Sequence, residues 1–176
     1  LANETLGTKF RVIAGYRGGT SEITLAMERG EVDGRGSNNW VSWKATRPHW
    51  LTEKKIFVLA QIGLKKESDL PDVPLLTELA SNEDDRALLA LLSAPVAIGR
   101  PVFSTPGVPA DRIAALRAAF DATMTDTEFL AEAKKIDLDI DPVSGAELEK
   151  VVRDVINAPK SVADRLAKII ATVEEK

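Results

Sequence analysis

Short apolar runs separated by turn residues fill the first hundred positions of this 176-residue chain, and apolar stripes at spacings of three and four fill the rest. The first pattern is typical of strands joined to helices, and the second of amphipathic helices. We predict strands at 10–14, 31–34, 56–64 and 96–105. The third run is nearly all apolar, as expected of a strand covered on both faces of a parallel sheet.

Helices are predicted between and after these runs. One at 20–29 ends at Gly30, because glycine commonly follows the last residue of a helix. Two others cover 75–80 and 85–92. Four later stripes begin at Ile113, Phe129, Leu148 and Val162. We therefore expect an α/β fold that becomes mainly helical toward its C-terminal end.

A glycine-rich turn follows the first predicted strand. Gly15, Gly18 and Gly19 lead into a helix that Thr20 or Ser21 is expected to cap. A helix N-terminus offers partial positive charge and free amides, so we expect the amides from Gly18 to Ser21 to converge on a small anion. The alternative is an ordinary strand-to-helix turn whose glycines only supply positive φ angles. The spacing fits neither the dinucleotide fingerprint nor a P-loop.

Composition narrows the function classes. The net charge of -4 provides no basic surface of the kind that binds nucleic acid, and the absence of cysteine removes thiolate catalysis and cysteine metal sites. His49 is the single histidine, which disfavours a Ser-His-Asp triad. Asp137, Asp139 and Asp141 alternate as in calcium loops, but the glycine and glutamate of an EF-hand are missing. We expect no enzyme, no metal and no other cofactor.

Three tryptophans and one arginine are further candidates. Trp40, Trp43 and Trp50 each offer a large apolar face and an N–H donor. Such residues either stack on a ligand or line its cleft, or they are anchors of the core or of an interface. Arg35 follows the predicted strand at 31–34, so it is expected near the same cleft edge as the glycine-rich turn. There it is either a bidentate partner for a carboxylate or a solvent-exposed loop residue.

Four segments together resemble one family. Residues 10–34 contain a Tyr-x-Gly turn, a helix and Gly-Glu-Val-Asp; the others are Leu-Pro-Asp-Val-Pro-Leu-Leu-Thr-Glu-Leu at 70–79, Gly-Arg-Pro-Val-Phe-Ser-Thr-Pro-Gly-Val-Pro at 99–109 and Asp-Ile-Asp-Pro-Val-Ser-Gly at 139–145. In order and spacing they resemble the Bug-type solute receptors, the substrate-binding proteins of tripartite tricarboxylate transporters.

The resemblance implies part of a type II periplasmic-binding-protein fold. Residues 1–70 would be part of the second lobe with its ligand loop, and 71–176 the C-terminal part that returns to the first lobe. In the family a small di- or tricarboxylate is held between two lobes in the periplasm and delivered to a membrane transporter. The positions that match the ligand loop are Tyr16, Gly18, Gly19, Thr20 and Ser21.

Two further expectations concern partners. A sensor or protein-interaction module derived from such a receptor is the alternative function. A homo-oligomer is also expected, because the late helices would lose the cover that preceding strands give them in the family. Its interface would include the apolar stripes of Leu148, Val151, Val155, Leu166, Ile169 and Val173.

Overall fold

A computed structural model describes residues 1–136, 138 and 140–174 of the chain. Over these residues the chain forms nine α-helices and one 3-10 helix. The α-helices are α1 Ala2–Thr5, α2 Gly19–Glu28, α3 Trp40–Thr46, α4 Pro48–Thr52, α5 Glu83–Ile98, α6 Ala110–Met124, α7 Thr127–Lys135, α8 Gly145–Ile156 and α9 Lys160–Glu174. The 3-10 helix is Leu76–Leu79.

The expected α/β fold is wrong. Helices account for 56% of the chain, and the described residues contain no sheet. Their one β-bridge is a parallel contact between Gln61 and Leu75. Apart from that bridge, the segments at 10–14, 31–34 and 56–64 have no paired strand beside them, so the arrangement expected for a type II periplasmic binding protein is not formed.

The predicted strands fail for physical reasons that differ. The segment 56–60 is apolar and 10–14 is apolar except for Arg11, but such a segment becomes a strand only when another segment accepts its main-chain hydrogen bonds. The segment 96–105 is divided: its first three residues complete α5, and Pro101 then removes an amide that a central strand would need.

The predicted helices are confirmed, with changes at their ends. α2 stops one residue earlier than expected, at Glu28, and Gly30 adopts a φ of 71° just beyond it. α5 is longer than the predicted 85–92 helix at both ends. It begins earlier, at Glu83, because the Asn82 side chain accepts a hydrogen bond from the Asp85 amide and caps the N-terminus. It continues through Pro95 to Ile98.

The main core lies around α5. Leu88, Leu89 and Ser93 are fully buried on this helix, and the Ser93 hydroxyl donates to the Leu89 carbonyl at 2.8 Å. α5 packs against α8, α9 and the 3-10 helix. The apolar stripes of α8 and α9 therefore pack against a helix and not against a sheet, and Leu148 and Leu166 are half-buried. The side chain of Val173 lies outside the described residues.

A buried amide organises the loop that precedes α5. Gln61 Nε2 donates to the carbonyls of Leu70 and Val73 at 2.9 and 2.8 Å, and its Oε1 accepts from the Glu67 amide at 2.8 Å. The main chain of Gln61 bonds to Pro74 and Leu76. One side chain thus fixes the path of the loop from 65 to 75.

α6 is attached more loosely. None of its residues is buried, and its Arg117 reaches Glu149 of α8 at 3.0 Å. Gly145, the first residue of α8, lies under the same arginine: an added Cβ would stand 2.8 Å from Arg117 Nε. The contact between the two helices therefore depends on a position without a side chain.

Candidate functional site

The glycine-rich turn leads into the N-terminus of α2, where a side chain of the same helix accepts a hydrogen bond from the turn. α2 begins at Gly19, with a φ of 62°, and Gly18 is its N-cap. The amide of Gly18 donates to Glu22 Oε2 at 2.6 Å. A Cβ at Gly18 would stand 3.0 Å from that oxygen, so glycine at this position leaves room for the carboxylate. The turn therefore holds a carboxylate, but an internal one.

The structure corrects one expectation about this turn and changes another. Neither Thr20 nor Ser21 caps the helix, since both lie inside its first turn and no side chain accepts from the first amides. Of the amides from Gly18 to Ser21 that were expected to bind an external anion, the Gly18 amide is already used, because it donates to Glu22. The sequence signal for this contact is the glutamate four residues after Gly18, since positions i and i+4 are neighbours on a helix.

Arg35 lies next to the first turn of the same helix. Its Nη1 lies 3.5 Å from the Thr20 carbonyl, and its Nε donates to the Ser37 carbonyl at 2.7 Å. The guanidinium carbon stands 5.9 Å from the ring centroid of Trp43, a cation–π distance. The arginine is thus held between the first turn of α2 and α3.

The electrostatic position of Arg35 is unusual for a loop residue. Burial lowers the pKa of its guanidinium from the usual value, because desolvation disfavours the charged form. Within the described residues no carboxylate lies within 4.0 Å of it, and its Nη2 has no hydrogen-bond partner. A half-buried arginine with unused donors suits a carboxylate supplied from outside.

The tryptophans are partly core and partly cleft. Trp43 and Trp50 are buried, and their ring centroids stand 5.4 Å apart at an angle of 31°. Trp40 is half-buried and donates from Nε1 to Asp69 at 3.2 Å. His49 is exposed and meets Trp50 edge-on. Trp43 therefore lies under Arg35, with Trp50 packed beside it, and these two rings form the floor of the site. His49 is exposed to solvent.

An open cavity of about 2430 Å³ extends from this floor. Arg35, Trp43 and Trp50 line it together with the segments 55–65 and 99–104. The residues from Gly18 to Ser21 are outside its lining. Pockets that enclose a small ligand measure about 300–1,000 Å³, so this cavity is too large and open to be filled by one carboxylate.

The remaining candidate residues are Tyr16 and the three alternating aspartates. Tyr16 is half-buried before the turn, and no hydrogen bond of its side chain is found among the described residues. Asp137 and Asp139 lie outside the described residues, while Asp141 is exposed. In the part of the chain that the structure describes, no three histidine or acidic side chains are grouped closely enough to hold a metal ion.

Comparisons with known proteins add no relative. No protein-family model, curated protein or solved structure matches this chain. The resemblance to Bug-type receptors therefore rests on the four sequence segments alone. Among the described helices, none combines the length and the apolar character that crossing a membrane requires.

Proposed function

We propose that the chain binds a small di- or tricarboxylate as part of a solute receptor of the Bug type, serving a tripartite tricarboxylate transporter in the periplasm. The observation that carries this proposal is the contact of Glu22 with the amide of Gly18 at 2.6 Å. A carboxylate already occupies the turn that the resemblance matches to the ligand loop. The turn is therefore chemically suited to this group.

Arg35 supplies the second point of attachment. Its Nη1 lies 3.5 Å from the carbonyl of Thr20, so the guanidinium is next to the first turn of α2. Two of its donors point to main-chain carbonyls, which leaves others for a ligand. A dicarboxylate would place one carboxylate on the turn and a second on Arg35.

Binding at this place is a competition. The ligand displaces Glu22 from the Gly18 amide, and Glu22 then turns to solvent, where it is already exposed. No covalent bond is made or broken, and the receptor acts through a ligand-dependent shift between conformations. Because the internal carboxylate opposes the ligand, we expect weak binding, with a dissociation constant of about a millimolar or above.

Calorimetric titration with succinate and citrate tests the proposal. The variant Glu22→Gln removes the competing charge and is expected to tighten binding about two- to fivefold, the range that one charge at a helix N-terminus commands. Arg35→Gln is expected to weaken binding more than about tenfold through the loss of charge-assisted bonds.

Two matched controls accompany these variants. Glu128→Gln removes an exposed carboxylate from the first turn of α7, and Arg17→Gln removes an exposed arginine beside the turn. Each is expected to leave the dissociation constant within about twofold. Absence of binding by both ligands at about 20 mM, in the wild type and in Glu22→Gln, would refute carboxylate binding.

A protein-interaction module is the second candidate. It is favoured by apolar side chains that stand in solvent beside the cavity, among them Phe57, Val102 and Phe103. Thermal melts with and without succinate separate the two functions, because a ligand of the folded state must raise the melting temperature.

A further inference from the structure

The chain exposes far more surface than a compact protein of its mass. Its accessible surface is 13083 Å² for 19.0 kDa. A folded monomer of this mass exposes about 8,400 Å², so about 4,700 Å² remains uncovered. Obligate dimer interfaces bury about 2,000–5,000 Å² or more in total, which means that this excess is large enough for a stable interface.

The segment 56–60, Ile-Phe-Val-Leu-Ala, is the best defined part of that surface. It is uncharged, free of glycine and proline and outside every helix, and its side chains alternate between half-buried and exposed positions, as those of an extended chain do. Phe57 and Leu59 are 79% and 71% exposed. Its main-chain groups have no hydrogen-bond partner among the described residues. Such a segment offers the unpaired main-chain groups to which a second strand can be added.

The direction of the free edge follows from Gln61. Gln61 directs both of its main-chain groups to the segment at Pro74 and Leu76. Because successive residues of an extended chain point their N–H and C=O groups to opposite sides, the groups of Ile56, Val58 and Ala60 point away from that segment. These three residues therefore present their donors and acceptors outward.

We propose that the occupant of this edge is a second copy of the chain, paired antiparallel with segment 56–60 about a twofold axis at Val58. In this register the two Val58 residues exchange hydrogen bonds, and Ile56 exchanges them with Ala60 of the partner subunit. About six main-chain bonds form. Phe57 lies opposite Leu59 of the partner subunit, an apolar cross-strand pair.

The same edge favours a second copy over an unlike partner. Antiparallel pairing about a twofold axis is self-complementary, since each residue meets the residue that the symmetry supplies. The segment carries no charge, so no like charges oppose each other within it. The exposed side chains of Val102 and Phe103 line the same cavity and supply further apolar area for the partner.

Sedimentation equilibrium on the full chain tests the proposal. The expected mass is twice 19.0 kDa at micromolar concentration. Val58→Pro removes the central donor and is expected to raise the dissociation constant at least about tenfold, because proline cannot donate to a ladder. The matched control is Val12→Pro, in another exposed extended segment without main-chain bonds at that residue. It is expected to leave the mass unchanged.

Hydrogen exchange reads the register directly. In the dimer the amides of Ile56, Val58 and Ala60 are expected to exchange more slowly than those of Phe57 and Leu59, and dilution should remove the difference. A mass of 19.0 kDa up to about 100 μM would overturn the proposal. So would equal weakening by the two proline variants, or a dimer in which the five amides exchange alike.

Discussion

Nη2 of Arg165 lies 2.6 Å from Oδ1 of Asp85, so α9 is joined to the first turn of α5 by an ion pair. The side chain of Asp85 is only 9% exposed, and Asn82 donates to its other oxygen at 2.7 Å. The contacts with Arg165 and then Asn82 lower the pKa of Asp85 from its usual value. The charged form of Asp85 is thus favoured by folding.

Acidification is expected to weaken the fold through this carboxylate. Because the pKa of Asp85 is lowered on folding, its stabilisation is fully present above the unfolded pKa of about 3.9 and is lost as the pH falls through the folded value. Asp85→Asn should therefore be less stable than the wild type near pH 7, and the difference should shrink below about pH 4. Urea unfolding at several pH values measures it.

Asp84→Asn is the control for that series, since Asp84 is the exposed neighbour in the same first turn. Its difference from the wild type should be small and nearly constant over the same range. A constant difference for Asp85→Asn between pH 7 and about pH 3 would contradict the role given to the ion pair with Arg165.

Truncation at the centre of α5 should be costly. Leu88 is fully buried where α5 packs in the core, and Leu88→Ala is expected to lower the free energy of unfolding by about 2–5 kcal/mol. Ile156→Ala, at a position on α8 that is 75% exposed, should change it by less than about 0.5 kcal/mol. Similar losses in the two variants would mean that the core does not lie around α5.

The loop around Gln61 offers a local test. Gln61→Met keeps the length of the side chain but leaves the carbonyls of Leu70 and Val73 and the amide of Glu67 without their partner. The expected loss is about 1–3 kcal/mol, with faster hydrogen exchange at Glu67. Glu67→Gln retains that amide and should leave both quantities nearly unchanged. Slow exchange at Glu67 in the methionine variant would be inconsistent with this arrangement.

The helices were predictable because their signals are local. The stripe that begins at Leu148 lies in α8, and Ser144 with Glu147 forms a reciprocal cap at its start. The strand predictions were wrong, because an apolar run such as 56–64 indicates only that the segment favours burial. Whether a neighbouring segment can accept its hydrogen bonds depends on residues far away in sequence.

At the candidate site, too, local features were predictable and contacts between distant residues were not. The order of the turn, α2 and Arg35 along the chain indicated that Arg35 would approach the turn, and its contact with Thr20 agrees. The hydrogen bond from the Gly18 amide to Glu22 was not predicted, because the prediction considered the glycines of the turn and not the side chain one helical turn later. The support of Arg35 by Trp43 depends on how α3 folds back, which local patterns do not contain.

The contact between Arg117 and Glu149 has a consequence for how the molecule opens. Exposed ion pairs contribute at most about 1 kcal/mol, and α6 adds no buried residue to this attachment. α6 and α7 pack on each other, so the two helices can separate from the core together while α5, α8 and α9 stay folded. Moderate salt, which screens that pair, is therefore expected to speed hydrogen exchange in α6 and α7 more than in α5.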